Sequence, residues 1–355
     1  MTHRLFCDPQ GAVMDKFFLA LKRLAPETIM LLSTRYLILR QIFYRQPIGR
    51  RQLGKHLELG ERLIRNELGF LKEKRAIDVT PAGIYLTAYG ESLLNEINEY
   101  VPFIFETQNL ANKLKKIFGL PEVIVVPGDS ETDYLAKKDI GRAAARYLKS
   151  VLTSGCIVSV TGGTTLAEMA NAINQSIHMP DVLVVPARGG LGQEMEEQAG
   201  TIVARIAKAI GAQYRLLHVP DNLEESTVEI LKKDAYVAES ISTIKRSQVL
   251  LHGIGPAITM AQRRGLKPAE IQHLICKGAV GEALRYYFDK KGNIVYEVPG
   301  IGLEIKDLLN IKVIVAVAGG ANKAQAISAV LSNRLHSALI TDEGAAKEMI
   351  KGKEG

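Results

Sequence analysis

The sequence predicts an α/β protein in which an N-terminal winged helix-turn-helix domain precedes a larger domain built on a mainly parallel sheet. Helical periodicity, a tight glycine-containing turn and a short hairpin fill residues 1–90. From Pro121 onward, apolar runs of strand length alternate with helical stretches. The excess positive charge lies entirely in the first part, because residues 1–90 hold 15 Lys and Arg against 8 Asp and Glu, whereas residues 91–355 hold 30 of each.

Length and composition describe an intracellular globular protein. The 355 residues, 47% hydrophobic and 23% charged, suffice for two or three domains with a sizeable core. The three cysteines lie far apart, which argues against a disulfide framework or a metal site and favours a reducing cytoplasm. No cofactor is expected. No apolar run approaches the ~20 residues of a membrane helix, and a secretory signal is absent, so no membrane association is expected. The helical pattern begins at Met14, which suggests a translation start there rather than at Met1.

The first domain, over residues 1–90, reads as helix, tight turn, helix and wing. Helices are predicted over about 14–24, 27–45, 49–57 and 61–75, with a turn at Glu58-Leu59-Gly60. Residues 76–79 and 84–87 predict a hairpin around Pro81-Ala82-Gly83. Together with the charge asymmetry, this order favours a DNA-binding domain. The alternatives are a helical domain whose basic face is merely solvated, or one that binds a protein.

The last of these helices is the candidate recognition helix. Ile64, Leu68 and Leu71 recur at helical spacing and predict its buried stripe, which sends a basic face to the other side. Arginine can bond guanine bidentately and asparagine can bond adenine in the same way, while other basic side chains contact phosphates. The predicted DNA contacts are Arg50, Arg51, Arg62, Arg65, Asn66 and Lys72.

Residues 91–119 predict a helical linker. Their apolar positions repeat at mostly helical intervals and are interrupted at Pro102, which predicts two helical pieces. These pieces either pack on the following domain or contribute to a dimer contact.

Residues 120–355 predict the sheet domain. Helices are expected over about 139–152, 198–210 and 324–331, between most of the strands. Because strands and helices alternate, we expect a mainly parallel sheet covered on both faces. The predicted strands are Val123–Val126, Ile157–Val160, Val182–Val185, Tyr214–Val219, Val249–His252, Val313–Val317 and Ala338–Ile340.

A glycine-rich loop within Gly155–Asn174 is the candidate binding site. Gly162 and Gly163 follow a buried strand, and Thr164 and Thr165 then open a helix. The first amides of a helix have no internal partner, and glycines let the backbone approach a ligand, so phosphate oxygens fit there. A tight turn with a threonine cap and no ligand is the alternative. The pattern is not that of a nucleotide P-loop.

Three further loops are expected at the same edge of the sheet, since ligands settle at the carboxyl ends of parallel strands. Arg188 and Lys323 lie beside glycine pairs in two of these loops. Arg263 and Arg264 come one helix after the remaining loop, His252-Gly253-Ile254-Gly255. A cationic rim would suit a small anion, most plausibly a phosphorylated sugar. The alternatives are a surface pair of Arg188 with Glu194 and an ordinary first-turn role for Lys323. His252, at a strand end, is expected to be a satisfied, partly buried group rather than a base.

Several motifs occur in the order of a known family. V-T-G-G-T-T, P-A-R-G-G, A-Q-R-R, A-V-A-G-G-x-x-K and T-D-E-G-A-A, after a winged helix, resemble the SorC family over about residues 14–350. The resemblance implies a sensor domain related in fold to phosphosugar isomerases and deaminases. It also implies a repressor of a glycolytic operon, fructose-1,6-bisphosphate as the inducer that weakens operator binding, and assembly as dimer and tetramer. The implied effector contacts are Gly162, Gly163, Thr164, Thr165, Arg188, Gln198, Arg263, Glu282 and Lys323.

A phosphosugar isomerase or deaminase-type enzyme is the alternative function. General acid–base chemistry needs a positioned carboxylate or histidine, and only Glu282 is a plausible candidate, so we expect no enzyme. Thr341-Asp342-Glu343-Gly344-Ala345 is only loosely similar to the isomerase signature. Activation instead of repression stays open, because the sign of regulation depends on where the operator lies.

Overall fold

The structure is a computed structural model that describes residues 9–173, 178–190 and 194–354. The described chain divides into two compact units, one ending at Thr107 and the other beginning at Gln108. None of the described helices is long and apolar enough to cross a bilayer. The suggested start at Met14 concerns residues that lie mostly outside the described part, and so does Asn174 at the end of the glycine-loop segment.

The first unit is mainly helical and carries one hairpin. Its helices agree with the predicted ones to within a few residues, and its two strands form the predicted antiparallel hairpin, with Ile77 opposite Leu86 and Thr80 opposite Gly83. The elements are α1 (Pro9–Leu24), α2 (Pro26–Arg45), α3 (Arg50–Leu57), α4 (Glu61–Glu73), β1 (Ile77–Thr80), β2 (Gly83–Leu86), α5 (Ala88–Ile97) and α6 (Val101–Ile104).

Local sequence explains the sharp turn between α3 and α4. Glu58 adopts a left-handed conformation with φ 53°, and the Leu59 N–H donates to the Gly54 carbonyl at 3.0 Å, which closes α3. In α4 the predicted stripe of Ile64, Leu68 and Leu71 is buried. The opposite face of α4 is therefore left to solvent.

A partly buried ion pair connects α4 to α2. The Arg35 Nε donates to the Glu67 carboxylate at 2.7 Å, and the Arg35 guanidinium lies 3.6 Å from the centre of the Phe70 ring. Glu67 is itself buried. This contact fixes the rotation of α4 about its own axis, and with it the residues on the exposed face.

The linker differs from its prediction in the place of the break. Pro102 lies in the first turn of α6. A proline is tolerated there, because a backbone N–H in the first turn of a helix would have no hydrogen-bond partner within the helix. The break falls instead between Ile97 and Val101, and a further helix, α7 (Thr107–Phe118), leads into the second unit.

The second unit is built on a seven-stranded parallel sheet. The strand order is β3-β13-β12-β7-β4-β5-β6. These strands are β3 (Glu122–Val126), β4 (Ile157–Val160), β5 (Leu183–Pro186), β6 (Gln213–Tyr214), β7 (Val249–His252), β12 (Val313–Val317) and β13 (Ala338–Asp342). The helices are α8 (Tyr134–Val151), α9 (Thr164–Ala172), α10 (Ala199–Ile210), α11 (Glu225–Leu231), α12 (Ala235–Lys245), α13 (Ala257–Arg263), α14 (Pro268–Cys276), α15 (Ala324–Leu331) and α16 (Glu343–Glu354).

Both faces of this sheet are covered, as predicted. Leu250 enters the hydrophobic cluster formed with α7, α12, α15 and α16, whereas its neighbour Leu251 enters the cluster formed with α8, α9 and α10. Successive residues of a strand point to opposite faces, so a buried parallel strand needs apolar residues at nearly every position. This arrangement brings the loops after β3, β4, β5, β7, β12 and β13 to one edge.

Two features of this unit differ from the prediction. The strand predicted over Tyr214–Val219 is limited to Gln213–Tyr214, because Leu217 and Val219 bury their side chains without pairing in the sheet. A four-stranded antiparallel sheet was not predicted; its order is β11-β10-β9-β8. Its strands are β8 (Gly255–Pro256), β9 (Ala279–Ala283), β10 (Tyr286–Asp289) and β11 (Ile294–Glu297).

Candidate anion-binding cavity and nucleic-acid interface

The glycine loop after β4 folds as the sequence predicts. Gly163 caps α9 with φ 128°, a conformation that side chains disfavour, and its N–H donates to the Glu197 carbonyl at 2.8 Å. A Cβ at Gly162 would lie 2.5 Å from the same carbonyl oxygen. Thr161 accepts a hydrogen bond from the Gly253 N–H at 3.2 Å. The loop therefore packs closely against the segments that follow β5 and β7.

A cavity of about 370 Å³ opens beside this loop. Its volume lies in the usual range of small-molecule sites, roughly 300–1,000 Å³. It is lined by Gly162, Gly163, Arg188, Gly189, Glu194, Glu197, Ala199, Met260, Gln262 and Arg263. Four predicted effector contacts thus line the cavity: Gly162, Gly163, Arg188 and Arg263.

Arg188 reaches the cavity from the end of β5. It forms an isolated antiparallel bridge with Gly302, and the next residue, Gly189, donates its N–H to the Ile301 carbonyl at 3.0 Å. The guanidinium Nη1 lies 3.1 Å from the Asp221 carboxylate and 3.3 Å from the Glu282 carboxylate. The predicted alternative, a surface pair with Glu194, is wrong, because the partners of Arg188 are buried.

Arg188 belongs to a network of five charged residues, with Asp221, Arg264, Glu282 and Arg285. Arg264 donates to both carboxylates, at 2.5 Å to Glu282, and the Arg285 backbone N–H donates to Glu282 at 2.7 Å. All five residues are buried. Burial raises the pKa of the Glu282 carboxyl and the neighbouring Arg188 opposes that rise. The Arg285 guanidinium also pairs with Glu297 at 3.3 Å, so three guanidiniums face three carboxylates beneath the cavity.

Arg263 and Arg264 do not form one cationic rim as expected. Arg263 is half-exposed on the cavity wall, and its guanidinium pairs with Glu197 at 2.6 Å. Arg264, the next residue, is turned into the network below. The reason is the helix itself, since neighbouring residues at the end of α13 point about 100° apart.

Five predicted effector contacts lie off the cavity wall. Thr164 and Thr165 open α9 directly after the loop, and Thr165 is buried. Gln198 lies between Glu197 and Ala199 in the sequence, and both of these residues line the cavity. Glu282 lies in the network beneath Arg188 instead of facing the cavity. Lys323 ends a 3₁₀ turn, Ala321–Lys323, after β12.

Lys323 belongs to a second group of cations. Burial lowers its pKa first, and the positive charges of Lys137 and Arg263 lower it further, while Asp342 opposes them. Lys323 is therefore close enough to Arg263 for the two charges to repel. Lys137, in the first turn of α8, was not predicted, and only the fold reveals it.

Sequence reasoning also missed Asp221 and Glu197. Asp221 follows Pro220 in a stretch that reads as an ordinary turn, and Glu197 is one of three glutamates in a loop. Neither shows a spacing that marks a site. The described residues contain no group of three His, Cys, Asp or Glu side chains suited to a metal ion.

His252 is more buried than expected and has a partner. Its Nε2 lies 2.9 Å from the Nε2 of His336, and its Nδ1 lies 3.1 Å from the Gly253 carbonyl. In this contact one imidazole donates and the other accepts, and burial lowers the pKa of both rings, which favours their neutral forms. Burial lowers the pKa of His252 to about 4. It is a satisfied group, as predicted, rather than a base.

The predicted DNA contacts of the first unit are all exposed. Arg62, Arg65, Asn66 and Lys72 occupy the solvent face of α4, and Arg50 and Arg51 open α3. A Cβ at Gly69 would meet nothing within 4 Å, so the centre of that face is flat and open. A helix with such a face fits the major groove.

Comparisons with known proteins cover both units. A family model described as a sugar-binding domain matches residues 103–351, and a model described as the CggR N-terminal DNA binding domain matches residues 31–101. The central glycolytic genes regulator of Priestia megaterium (strain DSM 319 / IMG 1521) is 43% identical over 93% of this chain and 97% of its own. That of Bacillus subtilis (strain 168) is 38% identical over 95% of this chain and 99% of its own.

Solved structures agree with the observed architecture. The crystal structure of a SorC family transcriptional regulator from Enterococcus faecalis is 36% identical, covers 68% of this chain and 99% of its own, and superposes with a TM-score of 0.63. The full-length sorbitol operon regulator SorC from Klebsiella pneumoniae is 19% identical over 89% of this chain and 97% of its own, with a TM-score of 0.65, and shows the fold alone.

Proposed function

Because the chain belongs to the SorC family of sugar-binding transcriptional regulators, we propose that it represses a glycolytic operon and leaves its operator when it binds fructose-1,6-bisphosphate. The relatives are transcriptional regulators with a DNA-binding domain, so the isomerase or deaminase alternative is set aside. The observation that carries the proposal is a cavity at the carboxyl edge of the sheet in which Arg188 and Arg263 meet the glycine loop.

The first phosphate is proposed to bind Arg188 together with the glycine loop. The amides at the start of α9 and the hydroxyls of Thr164 and Thr165 supply further donors. Arg188 is held by two buried carboxylates, so its guanidinium is oriented before a ligand arrives and loses little freedom on binding.

The second phosphate is proposed to bind Arg263 and Lys323. Burial and the positive charges of Lys137 and Arg263 disfavour the charged form of Lys323. A phosphate bound between these cations would offset the repulsion between their positive charges. Arg263 reaches such a phosphate by exchanging its exposed pair with Glu197, which contributes little. Two cationic poles suit a bisphosphate better than a monophosphate, with Gln198 near the sugar hydroxyls between them. Glu282 acts indirectly, by holding Arg188.

The coupling to DNA is proposed to be thermodynamic linkage. If the sugar phosphate prefers a conformation or subunit arrangement that fits the operator poorly, its binding lowers operator affinity by the same factor by which operator lowers the affinity for the ligand. We propose that the operator is bound by a tetramer built from dimers, and that the protein acts in the cytoplasm.

Ligand binding is tested by thermal unfolding of the full chain with fructose-1,6-bisphosphate, fructose-6-phosphate, glucose-6-phosphate and inorganic phosphate. A ligand present at 100 times its Kd stabilises the folded state by about 2.7 kcal/mol. Lys323→Ala should abolish the shift. Lys312→Ala is the matched control, because Lys312 is exposed at the amino end of the same strand, β12. Retention of the full shift by Lys323→Ala contradicts the placement of the second phosphate.

DNA binding is tested on duplexes selected from a random library by the wild-type protein. The double variant Arg62→Ala with Arg65→Ala should bind these duplexes more weakly and with a weaker dependence on salt. The slope of log binding constant against log salt concentration should become shallower by about 0.9 for each phosphate that the variant no longer neutralises. Lys16→Ala with Arg23→Ala removes the same charge from α1 as a control. Fructose-1,6-bisphosphate should weaken wild-type binding. Tighter binding in its presence contradicts repression relieved by this ligand.

A further inference from the structure

The face of α4 proposed to meet DNA carries one acidic side chain at its amino end. Glu61 is exposed, and its carboxylate lies 3.0 Å from the Arg50 guanidinium and 3.4 Å from the Arg65 guanidinium. Arg50 comes from α3 and Arg65 from the next turn of α4. One carboxylate therefore sits between two of the six predicted DNA contacts and joins the two helices of the motif.

The ion pairs hold the arginines only loosely. All three side chains are at least two-fifths exposed, at 41% for Arg50, 56% for Glu61 and 65% for Arg65. Exposed pairs of this kind contribute about 0–1 kcal/mol, so a DNA phosphate or a guanine edge can replace Glu61 as their partner. The arginines are thus available to DNA, but their release leaves the carboxylate facing a polyanion.

The fate of that carboxylate depends on the DNA sequence. Phosphates repel it, and so do the acceptor atoms that guanine and thymine present in the major groove. The amino groups of cytosine and adenine are the donors there, and a glutamate accepts a hydrogen bond from cytosine N4. Only a duplex that carries cytosine or adenine on the strand facing Glu61 satisfies this carboxylate while Arg50 and Arg65 bind DNA.

We propose that Glu61 is a specificity-determining residue that weakens binding to duplexes in which the strand facing the start of α4 carries guanine or thymine at the contacted position. Every base pair contains one amino-bearing base, so discrimination depends on which strand carries it. This inference rests on the proposed DNA contacts of Arg50 and Arg65. It assigns to Glu61 a repulsive role against wrong sequences and an attractive role at the operator.

The test compares Glu61→Gln and Glu61→Ala with Glu73→Gln. Glu73 is exposed at the other end of α4 and has no ion pair among the residues that the structure describes, so it controls for the removal of a negative charge. Anisotropy titrations use a duplex selected by the wild-type protein and a scrambled duplex of equal composition. We expect each Glu61 variant to bind the scrambled duplex about tenfold more tightly, and the selected duplex no more tightly than the wild type does, so that the ratio of affinities falls about tenfold. The Glu73 variant should keep the wild-type ratio.

A second readout is base preference. Selection from a random library with Glu61→Ala should lose the preference at one amino-bearing position and keep the others. An unchanged affinity ratio, an unchanged selected sequence, or an equal fall in the ratio for Glu73→Gln overturns the proposal. Arg50→Ala and Arg65→Ala, measured in parallel, separate this failure from failure of the proposed contacts, because they must weaken binding to both duplexes if those contacts exist.

Discussion

Asp221→Asn tests whether the charge network beneath the cavity holds the larger unit together. The Asp221 side chain is fully buried and contacts the guanidiniums of Arg188 and Arg264. The substitution keeps the shape of the side chain but leaves the two guanidiniums of Arg188 and Arg264 with the single carboxylate of Glu282. Removing one partner of a buried ion pair costs about 3–5 kcal/mol, because the remaining charge stays buried without compensation.

The structure argues for the lower end of that range. Arg188 keeps its contact with Glu282 and borders the cavity, where water can approach it. We therefore expect Asp221→Asn to lower the free energy of unfolding by about 3 kcal/mol, a large part of the roughly 5–15 kcal/mol that a folded protein has.

The chain has no tryptophan, so unfolding is best followed by circular dichroism and by hydrogen exchange of the β7 and β12 amides in the larger unit. Glu297→Gln is the matched control, because Glu297 pairs with Arg285 at 3.3 Å but is about half exposed, at 48%. It should cost less than about 1 kcal/mol. A loss below about 1 kcal/mol for Asp221→Asn as well would refute the reasoning, since the network would then tolerate an unbalanced charge.

Two further predictions concern packing and pH. Gly90→Ala should destabilise the first unit by about 1–3 kcal/mol in urea unfolding, because the new Cβ would lie 1.9 Å from the Ala76 carbonyl oxygen. Gly69→Ala should stabilise this unit slightly, because a Cβ there meets open space and alanine favours a helix. Equal effects of the two substitutions would contradict this reasoning. The His252–His336 pair should lower the stability of the second unit by up to about 2.7 kcal/mol per pH unit as pH drops from about 6.5 to 4, because burial lowers the pKa of both rings in the folded protein and the two unfolded imidazoles take up protons first. His252→Gln with His336→Gln should lose most of that slope, and an unchanged slope would point to other groups.

The regular parts of the fold were predictable because their sequence signals are local. The strands of the parallel sheet are apolar at nearly every position, and Ile64, Leu68 and Leu71 mark the buried side of α4 by spacing alone. The antiparallel sheet was missed because its pairing joins segments with no common pattern, such as Gly255 with Glu282. Conversely, Leu217 and Val219 resemble strand residues but are buried by packing alone.

The cavity was predictable only in part. Glycine pairs after strands mark an edge loop, so Gly162, Gly163 and Arg188 could be found from the sequence. The direction of a side chain at a helix end is a property of the fold, which is why Arg264 was expected at the rim and lies buried beneath it. Asp221 has no sequence signal, since its role depends on a backbone pairing between Gly190 and Pro220.

The position of Arg188 also has a mechanical consequence. Its guanidinium joins the two sheets of the second unit, because Arg188 follows a strand of the parallel sheet and its partner Glu282 belongs to the antiparallel sheet. An anion that binds Arg188 in the cavity therefore contacts the residue that joins the two sheets. The same side chain thus lines the cavity and connects the parallel sheet to the antiparallel one.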